Sequence, residues 1–183
     1  MDDLFSGTKA VDQKLKFDEQ GLHDWFSKNI SEFGSIEKIE QFRGGQSNPT
    51  YKITTANKKF VLRRKPPGKL LPSAHAVDRE YKVITALNST DVPVPRTFGL
   101  CEDENIIGTS FFVMEFLDGN IYWDLLLEDF NPKIRRAIYD SKNKVISALH
   151  QVNFESIGLG DYGKHGNYVA RQVSTWTKQY LAS

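Results

Sequence analysis

The spacing of apolar residues changes character several times along the chain, and each change predicts a different element. Residues 1–14 are polar and aperiodic, which predicts a loose arm. Phe17, Leu22, Trp25 and Phe26 then fall on one face of a short amphipathic helix. From 36 to 64 the pattern shortens to strands, at 36–42, 51–54 and 59–64, interrupted by Gly44-Gly45 and followed by Pro66-Pro67. A small antiparallel sheet is the simplest product. Helical spacing returns over 76–87, two further strands follow at 96–101 and 110–116, and Asp118-Gly119 ends the second of them.

Beyond Ile121 the pattern is helical throughout. Asn131 offers a cap, Pro132 suits a first helical position, and Ile134, Ile138, Val145 and Leu149 recur on one face. A last helix is predicted over 168–181, including Trp176. The expected class is α+β, organised as a flexible arm (1–16), a strand-rich lobe with a leading helix (17–117) and a helical part (118–183).

Charge and composition narrow the possible partners. The 183 residues carry 24 Lys plus Arg against 23 Asp plus Glu, so no broad basic field argues for nucleic acid or an anionic membrane surface. Any anion must be bound locally. The lone cysteine, Cys101, has no partner for an internal disulfide, and no zinc or redox spacing surrounds it. That points to an intracellular setting. No apolar run has signal-peptide or membrane-spanning length.

Three segments carry candidate chemistry. The turn Gly44-Gly45-Gln46-Ser47-Asn48 lies between two strands, where glycines let backbone amides approach phosphate oxygens; a plain hairpin would look the same. In the strand 59–64, Phe60 and Leu62 share one side while Val61 and Arg63 share the other. On the following helix Val77, Glu80, Ile84 and Leu87 are spaced by three, four and three, so the Glu80 carboxylate falls within an apolar stripe. Pairing Glu80 with Arg63 would avoid the cost of two unmatched charges; alternatively Glu80 snorkels at the rim. Arg64, Lys65 and Lys69 are read as solvated. The connector 111–119 holds Met114, Glu115 and Leu117, whose backbone could face a purine edge, or it is a buried strand followed by a turn.

In this order the segments resemble the aminoglycoside phosphotransferase family, and within it the kinase-like domain fused to acyl-CoA dehydrogenase. The resemblance is carried by Gln41-Phe42-Arg43-Gly44-Gly45-Gln46-Ser47-Asn48-Pro49-Thr50-Tyr51, Val61-Leu62-Arg63-Arg64-Lys65-Pro66-Pro67-Gly68, Asp78-Arg79-Glu80, Val113-Met114-Glu115 and Arg171-Gln172-Val173-Ser174-Thr175-Trp176. It implies a protein-kinase-like N-lobe, an antiparallel sheet plus one helix, followed by an incomplete helical C-lobe. It also implies ATP as cofactor, with Gly44, Gly45, Gln46, Ser47 and Asn48 covering its phosphates. Arg63 would stand where kinases carry a strand lysine, with Glu80 as its helix partner. Val61 and Met114 would flank adenine, and the backbone of Glu115 and Leu117 would meet its edge. An arginine in place of lysine brings a planar fork able to hold a carboxylate and a phosphate together.

The family's His-x-Asp catalytic loop and its magnesium ligands have no counterpart here. His165-Gly166-Asn167 offers an amide where a carboxylate is needed, and no Asp or Glu follows Asp161. The chain is therefore expected to be the N-terminal portion of an ATP-dependent phosphotransferase, inactive alone, with a hydroxyacyl-CoA as the acceptor implied by the fused relatives. Magnesium would require the missing part. The alternative is a truncated non-catalytic module that binds nucleotide or associates with itself or a partner through its unfinished helical lobe. By resemblance, the compartment is cytoplasmic, mitochondrial or peroxisomal.

Overall fold

The computed structural model describes residues 6–31, 34–44, 47–68 and 75–182. They form two compact units, 1–151 and 152–183. In the first, β1 (Thr8–Lys9), β2 (Ile36–Phe42), β3 (Thr50–Thr55), β4 (Lys59–Arg64), β5 (Thr97–Cys101) and β6 (Phe111–Glu115) make one sheet in the order β1-β2-β3-β4-β6-β5. Every neighbouring pair is antiparallel. Helix α1 (Glu19–Asn29) precedes β2, α2 (Val77–Leu87) links β4 to β5, and α3 (Pro132–Gln151) follows the sheet. The α+β expectation holds.

Alternation decides what each sheet face does. Tyr51 and Ile53 of β3, Phe60 and Leu62 of β4, and Phe111 and Val113 of β6 pack with Leu22 and Phe26 of α1, all fully buried. Removing a side chain of this size from water is worth about 1.5–3 kcal/mol, so the two α1 anchors alone account for much of that helix's attachment. α1 begins at Asp18, whose carboxylate accepts from the amides of Gln20 and Gly21, each at 3.0 Å. Cys101 belongs to the same core, and burial pushes its thiol pKa up, as suits an inert packing residue.

The opposite face is narrower. Val77 and Phe112 are fully buried there, with Tyr81 of α2 tilted against Phe112. Residues 6–16, read from sequence as a loose arm, are held to the sheet. β1 pairs with β2, the Asp12 amide donates to Gln41 Oε1 at 3.1 Å, and the Tyr51 hydroxyl donates to the Leu15 carbonyl at 3.0 Å. These bonds join residues at least 29 apart, which local periodicity does not register.

One glycine marks a close approach. A Cβ on Gly21 would lie 2.5 Å from the Ile106 carbonyl oxygen and 3.1 Å from Asp18 Oδ2. Helix propensity alone would favour alanine there by about 1 kcal/mol, but the collision is with backbone. Gly21→Ala is therefore expected to lower stability by about 1–3 kcal/mol, read as a drop in melting temperature. A rise would mean that α1 can draw away freely.

α3 starts as read, with Asn131 Oδ1 accepting from the Ile134 amide at 3.0 Å. In the second unit, α4 (Tyr168–Ala182) follows a turn-rich segment, and its Val169, Val173 and Trp176 are exposed. The Arg171 guanidinium donates to the carbonyls of Lys164 and Gly166, and the His165 ring is engaged with the Gly160 carbonyl. No described helix is long and apolar enough to cross a membrane.

Candidate functional site

The site is built on the sheet face that α2 partly covers. Registers Thr50↔Arg63 and Arg63↔Phe112 set Arg63 between β3 and β6, and Val61↔Met114 sets two expected purine neighbours opposite each other. Val61 is 7% exposed and Met114 half-buried, so they form a small apolar floor beside the cation.

Arg63 and Glu80 meet. Arg63 Nε lies 2.5 Å from Glu80 Oε2, and its NH2 group lies 3.3 Å from Oε1. These contacts decide for the pair, with the two side chains 26% and 36% exposed. A two-point fork fixes the guanidinium plane as well as its position. A third bond, from NH1 to Thr50 Oγ1 at 3.1 Å, ties the group to β3. Three of the five guanidinium N–H groups are thus used among the described residues. Two remain, on a side chain held rigid yet reachable by solvent.

The glycine turn enters the same network. Gly44 is half-buried, Ser47 is exposed, and Gly45 and Gln46 lie outside the described residues. Asn48 is 2% exposed, and its Nδ2 donates to Glu80 Oε1 at 3.0 Å. Its side chain is therefore committed to the helix carboxylate. The Thr50 hydroxyl donates to the Asn48 carbonyl at 3.1 Å. Asn48, Glu80, Arg63 and Thr50 hence close a ring of hydrogen bonds joining α2, two strands and the end of the turn.

At the connector, the Glu115 amide donates to the Arg96 carbonyl at 2.8 Å. That donor belongs to the sheet, which leaves the carbonyl as the group Glu115 can offer a purine. Leu117 is 59% exposed.

Sequence reasoning missed three residues. Thr50 and His75, whose ring Nδ1 lies 2.8 Å from Asn48 Oδ1, complete the network, and only the packing of distant residues reveals them. Arg64, expected to be solvated, is 2% exposed. Strand parity places it on the Phe60 and Leu62 side, under the segment before α1. Its guanidinium carbon lies 5.1 Å from the Phe17 ring centre and 5.8 Å from that of Tyr51, and its NH1 group donates to the Ile107 carbonyl at 3.4 Å. Burial holds its pKa below the usual arginine range. Lys69, grouped with it, lies outside the described residues.

An antiparallel sheet carrying a glycine turn, with a strand cation fixed by a helix carboxylate beside it, defines the nucleotide lobe of kinase-like phosphotransferases. The chain belongs to the phosphotransferase enzyme family, whose model matches residues 38–183. It is 48% identical over 176 residues to the probable acyl-CoA dehydrogenase IBR3 of Arabidopsis thaliana, covering 92% of this chain and 21% of that protein. Acyl-CoA dehydrogenase family member 11 of Homo sapiens is 44% identical over 172 residues, covering 92% and 22%. A crystal structure of a candidate aminoglycoside phosphotransferase from Ralstonia eutropha superimposes with a TM-score of 0.80 at 46% identity, covering 91% of this chain and 48% of that one. The chain spans about a fifth of these two curated relatives.

Proposed function

We propose that these residues are the nucleotide-binding portion of an ATP-dependent small-molecule phosphotransferase. The observation that carries this reading is Arg63, a guanidinium oriented by Glu80 and Thr50 with two N–H groups unspent among the described residues. A fixed fork beside a glycine turn suits the oxygens of a polyphosphate. Amides of the 44–48 turn would cover the phosphates, with the exposed Ser47 hydroxyl among them. Val61 and Met114 would flank adenine, and the Glu115 carbonyl and Leu117 backbone would meet its edge.

The residues present do not fit magnesium or the catalytic base. In phosphoryl transfer the ion is held by carboxylates together with phosphates, and here Glu80 is already engaged by Arg63 and Asn48. Among the described residues no three His, Cys, Asp or Glu side chains gather. The polypeptide is accordingly read as binding nucleotide without transferring the phosphoryl group by itself. The acyl-CoA dehydrogenase names of its relatives support a hydroxyl on an acyl-CoA metabolite as the acceptor.

A calorimetric titration of the 183-residue chain with ATP, with and without magnesium, tests the reading. Saturable binding is expected, weakened about tenfold in Arg63→Ala. Equal affinity in the two proteins removes Arg63 from the site, and phosphorylation of a hydroxyacyl-CoA above background by this chain overturns the non-catalytic reading.

A further inference from the structure

We propose that His75 is a positioning residue for the nucleotide cleft, acting through Asn48 on both the glycine turn and Glu80. The proposal rests on the nucleotide reading above and adds to it a residue outside the expected binding set.

His75 stands two residues ahead of α2 with φ at 59°, a left-handed conformation uncommon outside glycine and costly enough to need support from its surroundings. Its support is on both sides. The His75 carbonyl accepts from the Val77 amide at 2.9 Å, and its ring Nδ1 lies 2.8 Å from Asn48 Oδ1. The residue before α2, Ala76, has no side chain able to cap, and the His75 ring supplies a side-chain anchor at the entry to this helix.

The chemistry of the neighbours determines the ring's protonation pattern. An ionised carboxylate only accepts, so the Asn48 amide must turn its NH2 toward Glu80. Its oxygen then faces His75. That oxygen also only accepts, so Nδ1 must carry a hydrogen, which makes the neutral ring the Nδ1–H tautomer. Glu80 thereby dictates the tautomer of a histidine it does not touch. In the other direction, the ring holds the Asn48 amide in the one orientation that serves Glu80. Without that restraint the amide can rotate, Glu80 loses one of its three donors, and the end of the turn is released from α2.

The test uses the intact 183-residue chain, a fluorescent ATP analogue displaced by ATP, and nitrogen-15 spectra of the histidine rings without nucleotide. His75→Gly keeps the backbone conformation and deletes the ring; His75→Asn tolerates the same φ and supplies a short amide donor. His75→Gly is expected to weaken ATP binding about fivefold to tenfold, the loss of roughly one hydrogen bond, while His75→Asn stays within about twofold of wild type. The His75 ring should show the Nδ1–H tautomer. Undiminished binding in His75→Gly, or an Nε2–H ring, overturns the proposal. Should His75→Gly fail to fold, the tautomer and the Asn variant decide between the same outcomes. An Nδ1–H ring in a chain that binds no ATP instead overturns the nucleotide reading and the cleft role together, leaving only the bond.

Discussion

Glu80→Ala is expected to weaken ATP binding at least tenfold at a stability cost of about 1–3 kcal/mol. Three donors converge on this carboxylate, two from Arg63 and one from Asn48. Removing it frees the guanidinium to rotate and unties the turn from α2, so the geometry offered to phosphate is lost although every phosphate donor remains. The ion pair itself contributes little of that cost, because its two side chains are 26% and 36% exposed. Water can replace the Arg63 contacts, and partly exposed pairs of this kind are worth about 1 kcal/mol or less; the Asn48 amide, 2% exposed, loses its acceptor and adds about 1–3 kcal/mol. A double-mutant cycle with Arg63→Ala makes the point quantitative. If the residues act as one unit, the double variant should bind about as poorly as either single one. Reversing the pair, Arg63→Glu with Glu80→Arg, should recover stability and not affinity, because the positive group then stands on the helix. A Glu80→Ala protein that binds ATP like wild type would show that Arg63 needs no orienting partner.

Arg64 leads to an opposite balance. Arg64→Ala is expected to cost about 3 kcal/mol through the cavity it leaves, lowering the melting temperature by about 6–12 °C for a chain of this size. Arg64→Met should remain within about 1 kcal/mol of wild type or exceed it. Among the described residues no carboxylate faces this guanidinium. The guanidinium is buried against the rings of Phe17 and Tyr51, with one long bond to the Ile107 carbonyl, and its Nε has no hydrogen-bond partner among the described residues. Desolvation is therefore poorly offset, and an apolar chain of similar length fills the same space without that cost. Arg64→Lys should be damaging, because an ammonium gains less from two flanking rings and is harder to desolvate. If Met proves as harmful as Ala in thermal melts, the guanidinium contacts outweigh volume and the argument from desolvation fails.

The neighbouring arginines show how far local pattern reaches. Strand alternation puts Arg63 beside Val61, and the three-four-three spacing puts Glu80 inward on the next helix; both are short-range regularities, and the fold brings the two side chains together. The same alternation also assigns Arg64 to the Phe60 and Leu62 side. What makes that side closed at Arg64 is Phe17, forty-seven positions earlier in the chain, and no periodicity of the strand carries that information. Asn48 illustrates a different gap. Its place in the glycine turn was plain, but the direction of its side chain depends on where Glu80 and His75 arrive from outside the turn.

Alternating and helical spacings, together with turn residues, were enough to define five of the six strands, the helices and the candidates for a cation–carboxylate pair, since each depends on residues close in sequence; β1 and the pairing itself join distant segments and were not legible. Strand order is another matter. β6 lies between β4 and β5, and that insertion brings Val61 opposite Met114 and Arg63 beside Phe112. The ring of bonds through Asn48, Glu80, Arg63 and Thr50, with His75 attached, likewise exists only once three separated segments, 48–50, 63 and 75–80, have packed. Hydrogen bonds act over about 3 Å, so a network among distant segments is settled by the fold that brings them within reach.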